Sequence, residues 1–398
     1  MTRAAFAVAA LLALALSAYV GIELWDTSVP DDLKLPDVPQ SDFDAQTVRD
    51  AEAYERIARI LSLASTVVMI AVLAVYARHG AKLVKESAAG PIGTGFLLGI
   101  VGWCLVWVCQ LPFSLASFLW AQRYDLVEVS IFEWMLEQAF APIGQALSVT
   151  LLLLVVMGFA RWLRHAWWVP AAALGVAISL GLAFVSPFLL PTLERPPSEI
   201  RQDAQRLADE TELDDIDVRI EEVREWTSAP NAYALGLGDS RKVVLWDTLT
   251  DDFPRDEVRV VLAHELGHHE HDHIWKMVLW SIVILVPTGI VVALVTWRRG
   301  GMGDPRSVPL ALLVYVLLQL AFTPLNSQWS QRLESEADWT ALNATKDPKA
   351  MEALFKGFTD KGMADPDPPG WWSDVFDSHP TGSDRVAMAR AWKERNGR

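Results

Sequence analysis

His264-Glu265-Leu266-Gly267-His268 is followed almost at once by the apolar run Lys276-Met277-Val278-Leu279-Trp280-Ser281-Ile282-Val283-Ile284-Leu285-Val286. The first stretch sets two imidazoles four residues apart, on one face of a helix, with a carboxylate between them. Neutral imidazoles at that spacing can grip one zinc ion, and the adjacent carboxylate can take a proton from a water there. That is the working part of a metallohydrolase. Asp251, Asp252 and Pro254 supply start signals for the motif's helix, and Val258, Val261 and Leu262 give it an apolar face. The second stretch opens a segment long enough to cross a bilayer, so the metal motif is expected at the mouth of a membrane helix.

Hydrophobic residues make up 52% of the chain and are gathered into runs that reach the ~20 residues needed to span ~30 Å of hydrocarbon. Seven spans are expected, near 4–22, 57–77, 93–120, 141–160, 167–190, 276–297 and 308–325. Trp25, Trp120, Trp162, Trp167, Trp168, Trp275 and Trp297 stand near span ends, as an interfacial belt requires. No clear small-residue cleavage site follows the first run, which reads as a retained span. Cys104 and Cys109 both lie inside the third span, which excludes a disulfide framework and leaves them as packing residues. A formal charge of −15 argues against nucleic acid or anionic lipid as a main partner.

Basic residues in short loops indicate the orientation. One side carries Arg78, Lys82, Lys85, Arg161, Arg164, Arg298, Arg299 and Arg306. On the other, the 22–55 loop sets Lys34 and Arg49 against ten acidic residues, and the 121–140 loop has only Arg123. The basic side is expected to be cytoplasmic in a multi-pass cell-membrane protein, which puts 191–275 and the C-terminal tail together outside. The chain then divides into a five-span membrane region, 1–190, a first soluble part, 191–275, two further spans, 276–325, and a second soluble part, 326–398. The two soluble parts form one α+β domain. Within it, Ser198 to Glu212 reads as an amphipathic helix and Asp217 to Val223 as a strand. Asn231 to Leu237 and Lys242 to Trp246 read as two more strands, joined through Gly238-Asp239-Ser240.

A catalytic zinc needs a third protein ligand and an open position. His271 follows His264 by ~10.5 Å of helical rise, too far for a relaxed site. His273 would lie on the opposite face of a continuing helix, so both read as solvated or supporting residues. Glu334 is preferred, in a helical stretch just after the seventh span and on the same side of the membrane as His264 and His268. Asp338, one turn on, could accept a hydrogen bond from a ligand imidazole. Glu336 points elsewhere on that helix and reads as surface. Glu265 is the expected general base. Asn231-Ala232-Tyr233-Ala234, with small residues alternating, could pair with an extended peptide beside the metal. His379, before Pro380, could donate a hydrogen bond to a tetrahedral oxyanion.

With these residues in view, the chain resembles the membrane-embedded CAAX prenyl endopeptidases, gluzincin-type zinc metallopeptidases related to the HtpX proteases. Ser228-Ala229-Pro230-Asn231-Ala232-Tyr233 with Val243-Val244-Leu245-Trp246-Asp247-Thr248-Leu249 is similar to the family's strand motifs. His264 to His268 with His273 beyond, Ser330-Gln331-Arg332-Leu333-Glu334 through Ala337-Asp338, and Ser378-His379-Pro380 with Arg385 match its other elements. Leu111-Pro112-Phe113-Ser114-Leu115 is similar to a pattern in its membrane region. Gln331 departs by replacing the usual arginine, and Ala121-Gln122-Arg123 stands where acidic residues are common.

The resemblance implies zinc on His264, His268 and Glu334, Glu265 as base, and an orienting or proton-donating Asp338. It also implies a transition-state contact from His379, Arg385 beside the substrate, and a barrel of seven helices around a chamber. Peptides or membrane proteins would be the substrates, although no residue reports a prenyl group. The alternative is a zinc transporter or sensor, which fits five histidines between 264 and 273 but gives Glu265 no task.

Overall fold

The computed structural model describes residues 3–84, 90–190, 193–210, 213 and 216–397. Lys85, counted above on the basic side, and Glu212, at the end of an expected helix, lie outside the described residues. In chain order the elements are α1 (Arg3–Glu23), α2 (Ala45–His79), α3 (Gly90–Gln122), α4 (Ile131–Leu163), α5 (Trp168–Leu189), α6 (Ser198–Glu210), β1 (Asp217–Glu221), β2 (Ala232–Leu235), β3 (Lys242–Trp246), α7 (Asp247–Asp252), α8 (Arg255–Glu270), α9 (His273–Thr296), α10 (Val308–Thr345), α11 (Pro348–Gly362), α12 (Gly370–Phe376) and α13 (Gly382–Asn396). The helices α1 to α5, α9 and α10 are long and apolar enough to cross a membrane, the seven expected.

These helices form a circuit. Each of α2, α3, α4, α5, α9 and α10 packs on the next, α10 closes back onto α2, and α1 lies along α9. Only 11% to 39% of each span's most apolar window is buried against protein. Helices accessible on two faces are what a hollow ring gives, whereas a solid bundle would bury one stripe of each.

Several spans outrun the bilayer, and α10 and α2 do so into the soluble domain. At 1.5 Å per residue the 38 residues of α10 extend about 57 Å. A core of ~30 Å takes up only the first half, and the remainder enters the soluble domain as one continuous rod. The expected separate stretch around Glu334 is therefore the far end of the seventh span. Likewise α2 starts at Ala45, well before the apolar run, because the Asp44 carboxylate caps the amides of Gln46 and Thr47 at 3.0 and 2.9 Å.

The soluble domain is built around α8. A three-stranded sheet in the order β1-β3-β2 covers one flank, with β1 parallel and β2 antiparallel to β3. The far end of α10 covers the other. The core holds Val243, Leu245, Leu249, Leu262, Leu266, Leu342, Met351, Leu354 and Val386. Val29, Leu33, Val38 and Phe43, from the acidic loop between α1 and α2, pack into the same core. Trp329 and Arg332 donate to the carbonyls of Leu24 and Trp25 at 2.9 and 2.8 Å. This loop belongs structurally to the soluble domain, although its position assigned it to the membrane region.

Candidate metal centre

Pro254 caps α8, and Asp256 and Glu257 in its first turn complement the helix dipole. From Val260 to Gly267 every residue is buried, so the helix is the centre of the domain rather than a solvated face. Gly267 allows the closest approach to α10. A methyl group there would sit 3.2 Å from Ala337 Cα and 3.2 Å from Thr340 Cβ. This contact holds Glu334 of α10 against the two imidazoles of α8.

His264 Nε2 and His268 Nε2 face each other at 3.1 Å, and Glu334 Oε2 stands 3.2 Å from His264 Nε2. One ligand atom from each of the three residues falls within a 4.8 Å group. Glu334 Oε2 is buried without a hydrogen-bond partner, a costly condition for a carboxylate oxygen. Two imidazole nitrogens and one orphaned carboxylate oxygen converging in this way fit a His2Glu zinc site. His379 Nε2 lies 3.3 Å from Glu334 Oε2 with its side chain more than half exposed, at the mouth of the group.

Asp338 lies under His264. Its Oδ1 accepts from His264 Nδ1 at 2.9 Å, while Arg385 grips both oxygens, Nη2 to Oδ1 at 2.6 Å and Nε to Oδ2 at 2.7 Å. The Arg385 guanidinium also sits 4.0 Å over the Phe355 ring. Two of its donors, on Nε and Nη2, are thus committed to Asp338. It still lines the adjoining cleft with Asn231, Ala232, Phe355 and Phe358.

Burial opposes charge on His264, but the Asp338 carboxylate hydrogen-bonded to its Nδ1 and the negative charge of Glu334 beside its Nε2 outweigh it and raise its pKa to about 10. Burial lowers that of His268 well below the usual imidazole range. Glu265 is buried too, and this raises its carboxyl to about 7, with His264 and Arg385 pulling the other way. The Ala234 amide hydrogen-bonds to that carboxyl.

Tyr233 is turned away from the cleft. Its phenol donates to Glu221 at 2.9 Å, and its backbone is in register with Val244. The Asn231 carbonyl likewise accepts from the Trp246 amide at 3.0 Å. Since antiparallel hydrogen bonding alternates along a strand, Ala232 and Ala234 turn their backbone to the outer edge of β2, where the Ala234 amide is taken by Glu265 and its carbonyl faces outward with the backbone of Ala232.

Two expectations are corrected. Glu336 is 2% exposed rather than on the surface. His273 is not on the far side of a continuing helix: α8 stops, Asp272 adopts a left-handed φ of 54°, and α9 starts in a new direction. Aspartate tolerates that conformation better than most residues. The turn brings His273 Nδ1 to 2.8 Å from His268 Nδ1. Asp272, set between His271 and His273, is the residue at this bend. Gln331, the departure from the family pattern, donates to the carbonyls of Ser373 and Asp377, both at 2.9 Å.

The model of peptidase family M48 matches residues 194–393, half of the chain. The chain belongs to peptidase family M48. It is 25% identical over 321 residues to the metalloprotease YhfN of Bacillus subtilis, covering 77% of this chain and 74% of that one. To CAAX prenyl protease 1 of Saccharomyces cerevisiae it is 26% identical over 179 residues, 43% of this chain and 40% of the other. An HtpX protease homologue of Aeropyrum pernix is 29% identical over 222 residues, covering 50% of this chain and 68% of the other. The crystal structure of Ste24p from S. mikatae superposes with a TM-score of 0.75 at 18% identity, over 96% of this chain and 97% of that one. That match carries the whole fold, the ring of seven helices around a chamber included. As an M48 member the chain is a membrane metalloendopeptidase, which sets aside the transporter or sensor alternative.

Proposed function

We propose that this M48 member is a zinc endopeptidase that cuts extended segments of membrane-associated peptides or proteins, with His264, His268 and Glu334 as ligands. The carrying observation is the buried Glu334 carboxylate, whose unpartnered Oε2 stands 3.2 Å from His264 Nε2 and whose Oε1 stands 3.6 Å from His268 Nε2. Bound there, zinc would polarise a peptide carbonyl and acidify a water.

The chain's own residues supply the rest. Glu265, raised to about 7, is suited to take a proton from the attacking water and return it to the leaving amine. The outward backbone of Ala232 and the carbonyl of Ala234 offer an extended peptide an edge to pair with, and Asn231 lines the cleft beside it. Tyr233 supports that edge through Glu221 instead of touching the peptide. His379 stands where it can donate to the oxyanion. Asp338, held by Arg385, keeps His264 in one tautomer. The basic-residue count supports an extracytoplasmic site in a multi-pass cell-membrane protein; Lys85 apart, its residues fall at one set of helix ends, among them Arg161 and Arg299.

The test is cleavage of an unstructured peptide by purified protein. Glu265→Ala should abolish cleavage and keep stoichiometric zinc. Unchanged cleavage by that variant would remove Glu265 from the mechanism.

A further inference from the structure

The second imidazole, His268, has a support that mirrors the one under His264, and it comes from residues outside the ligand set. Glu336 Oε2 lies 2.9 Å from His273 Nε2, and His273 Nδ1 lies 2.8 Å from His268 Nδ1. The side chains of Glu336 and His273 are 3% and 1% exposed, so water does not compete for these bonds. Lys276 Nζ, 3.1 Å from Glu336 Oε2, and the Ser28 amide hold the carboxylate in place. Ser28 lies in the loop between α1 and α2 that packs into the domain core.

The polarity of this chain is fixed by what each group can do. A carboxylate only accepts, so His273 carries its proton on Nε2. Neutral His273 then has a bare Nδ1, which can only accept, so His268 carries its proton on Nδ1. That leaves a lone pair on His268 Nε2, the atom facing His264 and Glu334. Asp338 dictates the same tautomer to His264 directly. The helix α10 thus presents a ligand at 334 and the two tautomer-setting carboxylates at 336 and 338. Residues 334 and 338 project from one face, and Glu336 reaches the other through the bend at Asp272.

We infer that His273 and Glu336 are positioning residues that hold His268 in its metal-ready tautomer and tie the metal centre to the α1–α2 loop. The inference rests on the assignment of His264, His268 and Glu334 as ligands. Its test is the zinc dissociation constant of purified protein, read by chelator competition, alongside the unfolding midpoint of the metal-free protein. His273→Phe keeps a flat ring but breaks the relay, and should weaken zinc ~10- to 100-fold, the range for supporting partners of ligand imidazoles. His273→Gln can accept from His268 through its oxygen and donate to Glu336 through its nitrogen, so it should stay within ~3-fold of the wild type. A purely structural role would not separate the two variants in affinity when their metal-free midpoints agree.

Wild-type affinity in His273→Phe, or equal losses in both variants, overturns the inference. Should His273→Phe not fold, Glu336→Leu, which cannot accept from His273, carries the test: several-fold weaker zinc is expected, and wild-type affinity overturns it. If the wild type itself binds no stoichiometric zinc, the ligand assignment fails instead.

Discussion

Gly267 lies between two parts of the site and offers a way to move one against the other. An added Cβ would stand 3.2 Å from Ala337 Cα, 3.2 Å from Thr340 Cβ and 3.3 Å from Thr340 Cγ2. Carbon atoms rest at ~3.5–4.0 Å, so the helices must separate by about 0.5 Å, and a backbone Cα cannot rotate aside. Metal–ligand distances tolerate only ~0.2 Å. Glu334 is one turn from Ala337, so this displacement should reach the ligand set almost undiminished. Stability should change less, because alanine gains ~1 kcal/mol of helix propensity over glycine while overpacking costs ~1–3 kcal/mol. Gly267→Ala is therefore expected to lower metal-free stability by no more than ~2 kcal/mol and to weaken zinc at least ~10-fold, equivalent to ~1.4 kcal/mol. Gly267→Val should do both more strongly. Chelator competition and thermal unfolding in detergent read the two quantities separately. Wild-type zinc affinity in Gly267→Val would refute the claim that the α8–α10 contact sets the ligand spacing.

Other outcomes follow from neighbouring groups. Burial lowers the pKa of His269 to about 4, with its Nε2 3.2 Å from the Lys242 carbonyl. The unfolded chain takes up this proton near pH 6.5, so the group's contribution to stability is full above that value. It is lost as pH falls toward 4, by at most ~3 kcal/mol. Unfolding midpoints of His269→Gln should accordingly vary less with pH over this range than those of the wild type, and parallel curves would contradict the argument. Arg385→Met leaves Asp338, with a side chain 1% exposed, short of its cationic partner. A loss of ~3–5 kcal/mol is expected in denaturant unfolding, and a loss below ~1 kcal/mol would count against the pair. If the site is extracytoplasmic, a tag after Arg398 should be cleaved by protease added to intact cells, and protection would reverse the orientation.

The local signals were legible. His264, Glu265 and His268 announce themselves by spacing, and Glu334 with Asp338 by one helical turn, because each relation lies within one helix. Hydropathy located all seven spans but cut α2 and α10 short: it registers the lipid-crossing part, while capping at Asp44 and packing against α8 extend these two helices into the domain. What remained hidden depends on tertiary structure. Helical periodicity put Glu336 and His273 on outward faces, and only the reversal at Asp272 turns them toward each other. The α1–α2 loop is acidic and rich in proline, so nothing local shows Val29, Leu33 and Phe43 entering a core made by residues some two hundred positions away.

The most direct measurement is zinc X-ray absorption on the purified protein and on Glu334→Ala. The account predicts a wild-type shell of two imidazole nitrogens and carboxylate oxygen at ~2.0–2.2 Å, with the carboxylate contribution lost in the variant. A wild-type shell that the substitution leaves unchanged, or protein that takes up no zinc, would contradict it.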